Sequence, residues 1–311
     1  MKSQVVKNQH IVPKRHLKQF SILGDKNKVK GFDCDRVEIL KKDQSIRSIC
    51  SGYFHYALKP GEEDDYSQQV EKAFGNLEDW YGKNIERIEQ LLLKKATLDT
   101  ADRFGISCLV SNFYFRGISF RDEMTNASKE LTDWFSPIIS EHIYNKISKE
   151  YPGIFDNNYK KVVNEITKTE LHKEASKTCY TIKRSFDVGF ANTLTHKKWE
   201  VLINNSDYPF ITSDEAVIDL INSQMLDSFR FKGAWLLKTQ IFNLSPKISI
   251  IFSFPFTEDM HGHIEYRNIT TSKTDIFKQN LHYVNFSHKY AYSQNIHFFE
   301  DVVMLNKKNE K

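Results

Sequence analysis

Cysteine is scarce in this sequence, and its few copies do not cluster. Cys34, Cys50, Cys108 and Cys179 form no CxxC pair, so no local motif for a zinc ribbon or for thiol redox chemistry is present. We therefore expect reduced thiols, most of them buried as small apolar side chains.

Long apolar runs are also missing. No stretch approaches the roughly 18 consecutive apolar residues of a membrane-spanning helix, and residues 1–21 lack the uninterrupted apolar region of a secretory signal. These two absences predict a cytoplasmic protein that makes no contact with a membrane.

The short motifs of several large enzyme classes are absent as well. The chain contains no GxGxxG, GxxxxGK(S/T), HExxH or GxSxG. Rossmann-type cofactor use, P-loop nucleotide binding, zincin proteolysis and hydrolysis from a nucleophile elbow therefore lose their usual sequence support.

The distribution of charge says more than its total. The formal net charge of +4, from 44 Lys and Arg against 40 Asp and Glu, is too small to indicate nucleic-acid binding by itself. Residues 1–30, however, hold eight basic residues and a single acid. This basic arm could contact nucleic-acid phosphates with salt-dependent affinity. It could equally be a solvated surface that keeps the protein soluble.

Hydrophobic periodicity divides the chain into three regions. Residues 29–58 hold short β-rich pieces separated by turn residues. Apolar positions over 67–95 recur every three or four residues, and 100–116 is apolar almost all round, as in a buried helix. Helical pattern continues over 124–177, and from 197 onward runs of β-forming residues follow one another.

Strands, then helices, then strands predict an α+β fold. We expect a mixed or antiparallel β-rich lobe built from both chain ends, residues 1–62 and 197–305, joined in one sheet. Residues 63–196 are expected to form a central α-helical lobe inserted into it. The chain as a whole, residues 1–311, is interpreted as one domain.

The opening segment QHIVPKRHLKQF places two histidines around a proline. Pro13 disfavours helix at the residue before it, so His10 is expected in extended chain, while His16 can begin a helical turn. The His10 imidazole could act as an acid, a base or a metal ligand. It could also hydrogen-bond nearby backbone and order the arm. The phosphate-binding candidates of this segment are Lys14, Arg15 and Lys18.

A second cluster, FITSDEAV, ends an apolar strand with Ser213, Asp214 and Glu215. Carboxylates just past a strand end are held by a rigid element, and they suit divalent-metal binding or general-base work. Ser and Asp are also common turn formers, because their side chains bond nearby backbone. The local pattern does not separate these two interpretations.

Arg116 and Arg121 lie at the end of the apolar helix. A planar guanidinium there could bind phosphate or carboxylate, although a cation is favoured at a helix C-terminus without any ligand. His261 and His263 would face the same side of a strand, but a pair without a third ligand is weak evidence for a metal.

Taken together, these segments resemble the family called domain of unknown function 4238. The match rests on QHIVPKRHLKQF, RFGISCLVSNFYFRGISFR, the W-x(10)-FITSDEAV stretch from Trp199 to Val217, and NLSPKISIIFS followed by LHYVNFSHKYAYS. Two departures stand out. Glu215-Ala216 replaces the Asn-Pro that family members commonly carry, and Arg116-Gly117-Ile118 replaces a commoner Arg-Thr-Pro.

The resemblance implies one family-specific domain and brings no established activity with it. It raises the weight of His10, Arg116, Ser213 and Asp214, because these residues sit at positions that define the family pattern. Polar residues separated by hundreds of positions can assemble into an active site. They can also form a buried polar network that folding needs.

The first functional hypothesis is a hydrolase acting on nucleic acid or nucleotide in a bacterial defence or toxin-like role. In this hypothesis His10, Arg116, Ser213 and Asp214 are catalytic, and Asp214 with Glu215 holds a divalent Mg²⁺ or Mn²⁺ ion. The alternative is a non-enzymatic module that binds nucleic acid or protein through the basic arm. A sensor of a small metabolite between the two lobes is a third possibility.

Overall fold

A computed structural model describes residues 8–53, 69–150, 157–220, 239–253, 264–269 and 273–309. Its helices in these ranges are α1 (Lys14–Leu17), α2 (Gln69–Leu93), α3 (Thr100–Arg116), α4 (Ile118–Glu150), α5 (Asn157–His196), α6 (Lys273–Phe286) and α7 (His297–Asn309). A single 3-10 turn, Lys18–Phe20, continues α1.

The strands of the described ranges are mostly short. They are β1 (Asn8–His10), β2 (Lys28–Asp33), β3 (Glu38–Ile39), β4 (Gln44–Ser45), β5 (Ser51–Tyr53), β6 (Lys198–Asn204), β7 (Thr212–Ser213), β8 (Val217–Leu220), β9 (Thr239–Ser245), β10 (Ile248–Ser253), β11 (Ile264–Ile269) and β12 (Tyr290–Ser293). Parts of the two predicted β-rich regions, residues 54–58, 221–238, 254–263 and 270–272, lie outside the described residues.

The fold is α+β, as the order of elements predicts. One sheet runs β11-β6-β10-β9-β8, a second runs β3-β2-β12-β7 with β4 also paired to β2, and β1 pairs with β5. The β11 and β6 strands are parallel, whereas the other pairs among the described strands are antiparallel. The sheets are therefore mixed or antiparallel.

The two ends of the chain share one of the three sheets formed by the described strands, so the expected union of the β-rich ends holds for that sheet, whereas the other strands do not join it. Strand β2 pairs antiparallel with β12, so that Phe32 lies opposite Ala291. Ala291 also lies opposite Ser213 of β7. The Phe32 ring stacks on the ring of Phe299 in α7, with 4.9 Å between their centroids. Sequence-distant segments thus supply one hydrophobic core.

Helix α3 forms as its apolar composition predicts. Its buried side chains include Ile106, Leu109 and Phe113, and few of its positions face solvent. The Asp99 carboxylate caps its start by accepting a hydrogen bond from the Asp102 amide at 2.7 Å. Three cysteines of the described part, Cys34, Cys50 and Cys108, are free thiols, and each is partly exposed although most were expected to be buried.

The chain divides into two compact units. The larger contains Met1–Ile118 and Asp187–Lys311, and the smaller contains Ser119–Phe186. The smaller unit is thus shorter than the segment 63–196 of the sequence prediction, and α2 and α3 belong with the strands. Helix α4 continues through Pro137.

Loss of the Phe32 ring tests the shared core. Phe32→Ala is expected to lower the free energy of unfolding by about 3–5 kcal/mol, because the ring is fully buried against Phe299. Leu23, which is 85% exposed, is the control, and Leu23→Ala should change stability by no more than about 0.5 kcal/mol. Urea unfolding measures both, and equal effects would contradict the structure.

Candidate functional site

The N-terminal segment has an inner and an outer face. His16, Leu17 and Phe20 are completely buried, whereas Lys14 and Lys18 are exposed. Arg15 is also exposed, and its guanidinium lies 3.0 Å from the Asp79 carboxylate of α2. The inner residues therefore hold this segment in place, and the basic residues face solvent.

His16 lies in an aromatic enclosure that the sequence did not reveal. Its ring centroid is 5.2 Å from Phe20, 5.1 Å from Phe113 and 5.2 Å from Phe242. Its Nε2 atom lies 3.2 Å from the Thr212 hydroxyl oxygen, and its Nδ1 atom lies 3.4 Å from the Tyr81 hydroxyl oxygen. Burial lowers the pKa of His16 to about 3, so the imidazole is neutral at physiological pH.

His10 lies in β1, directly opposite Ser51 of β5. Burial, the Lys14 charge and the Arg116 charge lower its pKa to about 4, although hydrogen bonds to the backbone of Arg47 and Ile46 act in the opposite direction. The ring is thus held against nearby backbone, which is the structural role that the sequence left open for it.

Arg116 is fully buried at the C-terminus of α3 and connects three elements. Its Nη1 atom donates to Glu78 Oε1 of α2 at 2.7 Å, and its Nη2 atom donates to the His10 carbonyl oxygen. Its guanidinium carbon also lies 4.4 Å from the centroid of the Phe74 ring. Glu78 is 26% exposed, so this buried cation lies just beneath the surface.

Asp214 fixes the turn that leads into β12. Its Oδ1 atom accepts a hydrogen bond from the His288 amide at 2.9 Å, and its Oδ2 atom accepts from the amides of Lys289 and Tyr290, both at 2.8 Å. Burial raises the pKa of this carboxyl, and the three amides oppose the rise. Both carboxylate oxygens are therefore engaged with backbone.

Ser213 and Glu215 form a closed turn next to Asp214. The Ser213 hydroxyl donates to the Glu215 carbonyl oxygen at 2.7 Å and accepts from the Glu215 amide at 3.1 Å. The Glu215 side chain is buried and lies against Gly117, where an added Cβ would collide with its carboxylate. The two departures from the family pattern, at positions 215 and 117, are thus in contact.

A buried polar cluster elsewhere in the larger unit was not predicted from the sequence. The fully buried Lys197 donates from Nζ to Gln240 Oε1 at 2.6 Å, and Gln240 Nε2 donates to Asp219 Oδ1 at 2.9 Å. The Tyr114 hydroxyl donates to the other Asp219 oxygen at 2.7 Å. Burial lowers the pKa of Lys197 to about 8, although the Asp219 charge opposes this. No local motif marks these residues, because α3, β8, β9 and the residue between α5 and β6 supply them.

A surface cleft of about 420 Å³ lies among other residues of the larger unit. The Asp301 carboxylate lines it, accepts from the Tyr208 hydroxyl and pairs with Lys273, each at 2.8 Å. None of the residues predicted for the site lines this cleft. Its mixture of acidic and basic groups favours no one class of ligand.

The structure brings most of the predicted site residues together. Arg116 bonds the carbonyl of His10, and Gly117 next to it contacts Glu215 of the turn that also contains Ser213 and Asp214. Within the described ranges, no group of three or more His, Cys, Asp or Glu side chains is arranged to hold a metal ion. His261 and His263 lie outside those ranges.

The arrangement is rich in polar groups, and the protein itself engages most of them.

A family model described as "Protein of unknown function (DUF4238)" matches residues 8–297 of the 311-residue chain. The chain belongs to this family. Comparisons with curated proteins and with solved structures give no significant match. None of the described helices of this family member is long and apolar enough to cross a membrane.

The buried His16 makes stability depend on pH. The unfolded chain takes up a proton near the ordinary histidine pKa of about 6.5, whereas folded His16 does so only at about 3. The contribution of neutral His16 to the free energy of unfolding is therefore complete above about pH 6.5 and is lost as the pH falls toward 3. Between pH 7 and pH 5 we expect His16 alone to lower the free energy of unfolding by about 2 kcal/mol.

Urea unfolding of the wild type and of His16→Gln at pH 5, 6 and 7 measures this dependence. The variant should lose about 2 kcal/mol less than the wild type over this range, whatever its stability at pH 7. His297→Gln, which removes an exposed imidazole, is the control and should keep the wild-type dependence. An unchanged pH dependence in His16→Gln would contradict the neutral, buried state of this ring.

Proposed function

We propose that this protein is a binding module without catalytic turnover, and that it binds nucleic-acid phosphates through the outer face of residues 14–18. The observation that carries the proposal is the opposite orientation of side chains in this segment. The imidazole of His16 points into the core, whereas the cationic groups of Lys14 and Lys18 point to solvent.

The outer face presents several cations close together. Lys14 and Lys18 are four residues apart, and neither forms an ion pair with another of the residues that the structure describes. Arg15 is partly offset by Asp79, but both side chains are about half exposed, so water screens that pair. Lys83 follows Asp79 by one turn of α2 and adds an exposed charge on that side.

Residues 14–18, which carry these cations, are held firmly in place by their neighbours. Leu17 and Phe20 are completely buried, and the His10 carbonyl is bound by the buried Arg116. A ligand would therefore meet cations on an ordered scaffold, and little chain entropy would be lost on binding. This arrangement supports recognition of a repeating anion such as a nucleic-acid backbone.

Neutralising the two lysines tests the proposal. Binding of labelled duplex DNA and of single-stranded RNA is measured by fluorescence anisotropy at several salt concentrations. The double variant Lys14→Gln, Lys18→Gln should bind more weakly. For the duplex, the negative slope of log K against log salt should become less steep by about 1 to 2, because binding releases about 0.9 fewer counterions for each phosphate contact that is lost.

The control is Lys307→Gln, Lys308→Gln, which removes the same charge from two exposed lysines in the last turn of α7. This variant should retain wild-type affinity and slope. Absence of binding by the wild type, or equal loss in both double variants, would exclude a phosphate-binding role for residues 14–18.

The hydrolase hypothesis stays a prediction, and the observation that favours it is the run of contacts from the His10 carbonyl through Arg116 and Gly117 to Glu215, which neighbours Ser213 and Asp214. The same protein, incubated with labelled nucleic acid and Mg²⁺ or Mn²⁺, distinguishes the two functions. We expect binding without cleavage. Cleavage by the wild type that disappears in Asp214→Asn, at a temperature where circular dichroism shows the variant folded, would instead favour the hydrolase with a metal at Asp214 and Glu215.

A further inference from the structure

Gly82 lies in the interior of α2, where a glycine is unfavourable because it lacks the side chain that supports helix. The side chain of Arg15, which comes from α1, lies directly across this glycine. A Cβ atom at position 82 would collide with Nη1 and Cζ of Arg15 and would lie 2.8 Å from its Cδ atom. Gly82 therefore provides the space that the Arg15 side chain occupies.

The backbones of the two helices are fixed where Arg15 crosses from α1 to α2. His16 follows Arg15 and Tyr81 precedes Gly82, and both of these rings are buried. The His16 Nδ1 atom lies 3.4 Å from the Tyr81 hydroxyl oxygen. The Arg15 guanidinium extends along α2 to Asp79, one turn before Gly82, and lies 3.0 Å from its carboxylate. The buried contact thus holds the helices together, and Asp79 fixes the direction of the Arg15 side chain.

Asp79 engages only part of the Arg15 guanidinium. A guanidinium carries N–H groups along both edges of a planar fork. Among the residues that the structure describes, Asp79 is the acceptor that Arg15 meets, and the bond comes from Nη2. Because the Arg15 side chain is 49% exposed, its other N–H groups can donate to the oxygen atoms of a ligand.

Exposed charge continues along α2 beside this arginine. Lys83 follows Gly82 directly and is exposed, whereas the acidic Glu86 lies about one turn further along the helix. The cationic stretch on α2 therefore consists of Lys83 together with the guanidinium that Arg15 lays across the helix, and it ends before Glu86.

We infer that Arg15 binds a phosphate from its place on α2 and that Gly82 is the residue that positions it there. The inference rests on the proposed function, the binding of nucleic-acid phosphates by the outer face of residues 14–18, and it extends that surface onto a second helix. A side chain that is already held loses less freedom on binding than a mobile one. Its planar fork suits a phosphate, to which it can donate two parallel hydrogen bonds.

A charge-neutral substitution separates the position of Arg15 from its charge. Gly82→Ala keeps every charge but displaces the guanidinium, which is the far end of a flexible side chain, so the fold should be retained. Fluorescence anisotropy with labelled duplex DNA should show a dissociation constant raised about threefold to tenfold. Arg15→Gln should raise it at least as much and should make the negative salt slope less steep by about 1.

The double variant Arg15→Gln, Gly82→Ala completes the comparison. It should bind like Arg15→Gln alone, because no guanidinium remains to be displaced. The matched control is Gly75→Ala, two turns earlier in the same helix, where an added Cβ would meet no described atom within 4 Å. This variant should keep the wild-type dissociation constant. Circular dichroism should show all four variants folded at the temperature of the binding measurement.

Two results would overturn the inference while the proposed function stands. They are an unchanged dissociation constant in Gly82→Ala, and an equal rise on adding Gly82→Ala to the wild type and to Arg15→Gln, provided that Lys14→Gln, Lys18→Gln still weakens binding. If the wild type binds no nucleic acid, or if the double lysine variant binds as the wild type does, the proposed function fails and the inference fails with it.

Discussion

A buried guanidinium is costly unless its charge and its N–H groups all find partners, and Arg116 imposes that requirement on the larger unit. Glu78 from α2 and the His10 carbonyl from β1 supply those partners, with Asn112 of the same helix nearby at 3.4 Å. Helix α2, helix α3 and the N-terminal strand must therefore come together for the cation to be satisfied. The position of the basic segment follows, because it begins directly after His10.

The helices were predictable because their signals are local or additive, whereas the sharing of a sheet by the two chain ends was only the simplest assembly of the β-rich regions. Regular apolar spacing predicts α2, and continuous apolar character predicts the burial of α3. The burial of His16 was not predictable. A histidine between Arg15 and Lys18 resembles a surface residue, and its enclosure depends on Phe113 and Phe242, which are about 100 and 230 residues away.

The residues predicted for the candidate site show the same limit, which is that a local sequence pattern does not reveal tertiary contacts. The sequence indicated that His10, Arg116, Ser213 and Asp214 matter together, and the contacts of Arg116 with the His10 carbonyl and of Gly117 with Glu215 link the segments that carry them. Whether a carboxylate faces solvent or backbone is set by tertiary contacts, and Asp214 accepts hydrogen bonds from three amides that lie more than seventy residues further along the chain. Residue type alone does not contain that information.

Glu215 and Gly117 show how one part of this region differs from the commoner family pattern. A larger residue at 117 would occupy the space of the Glu215 carboxylate, so the two unusual residues are sterically linked. A chain with Thr at position 117 would require the Glu215 carboxylate, which is the far end of a flexible side chain, to move aside. The local shape of this turn is therefore a property of the pair.

The pairing of β2 with β12 also has a consequence for synthesis of the chain. The two strands are separated by more than 250 residues, so β2 has no partner strand on that edge until nearly the entire polypeptide has been made. Contacts of such high sequence separation slow folding, and an unpaired edge is prone to aggregation in the meantime. Lys28 and Lys30 place positive charge on β2 itself, and such charge on a strand discourages its pairing between nascent chains during that interval.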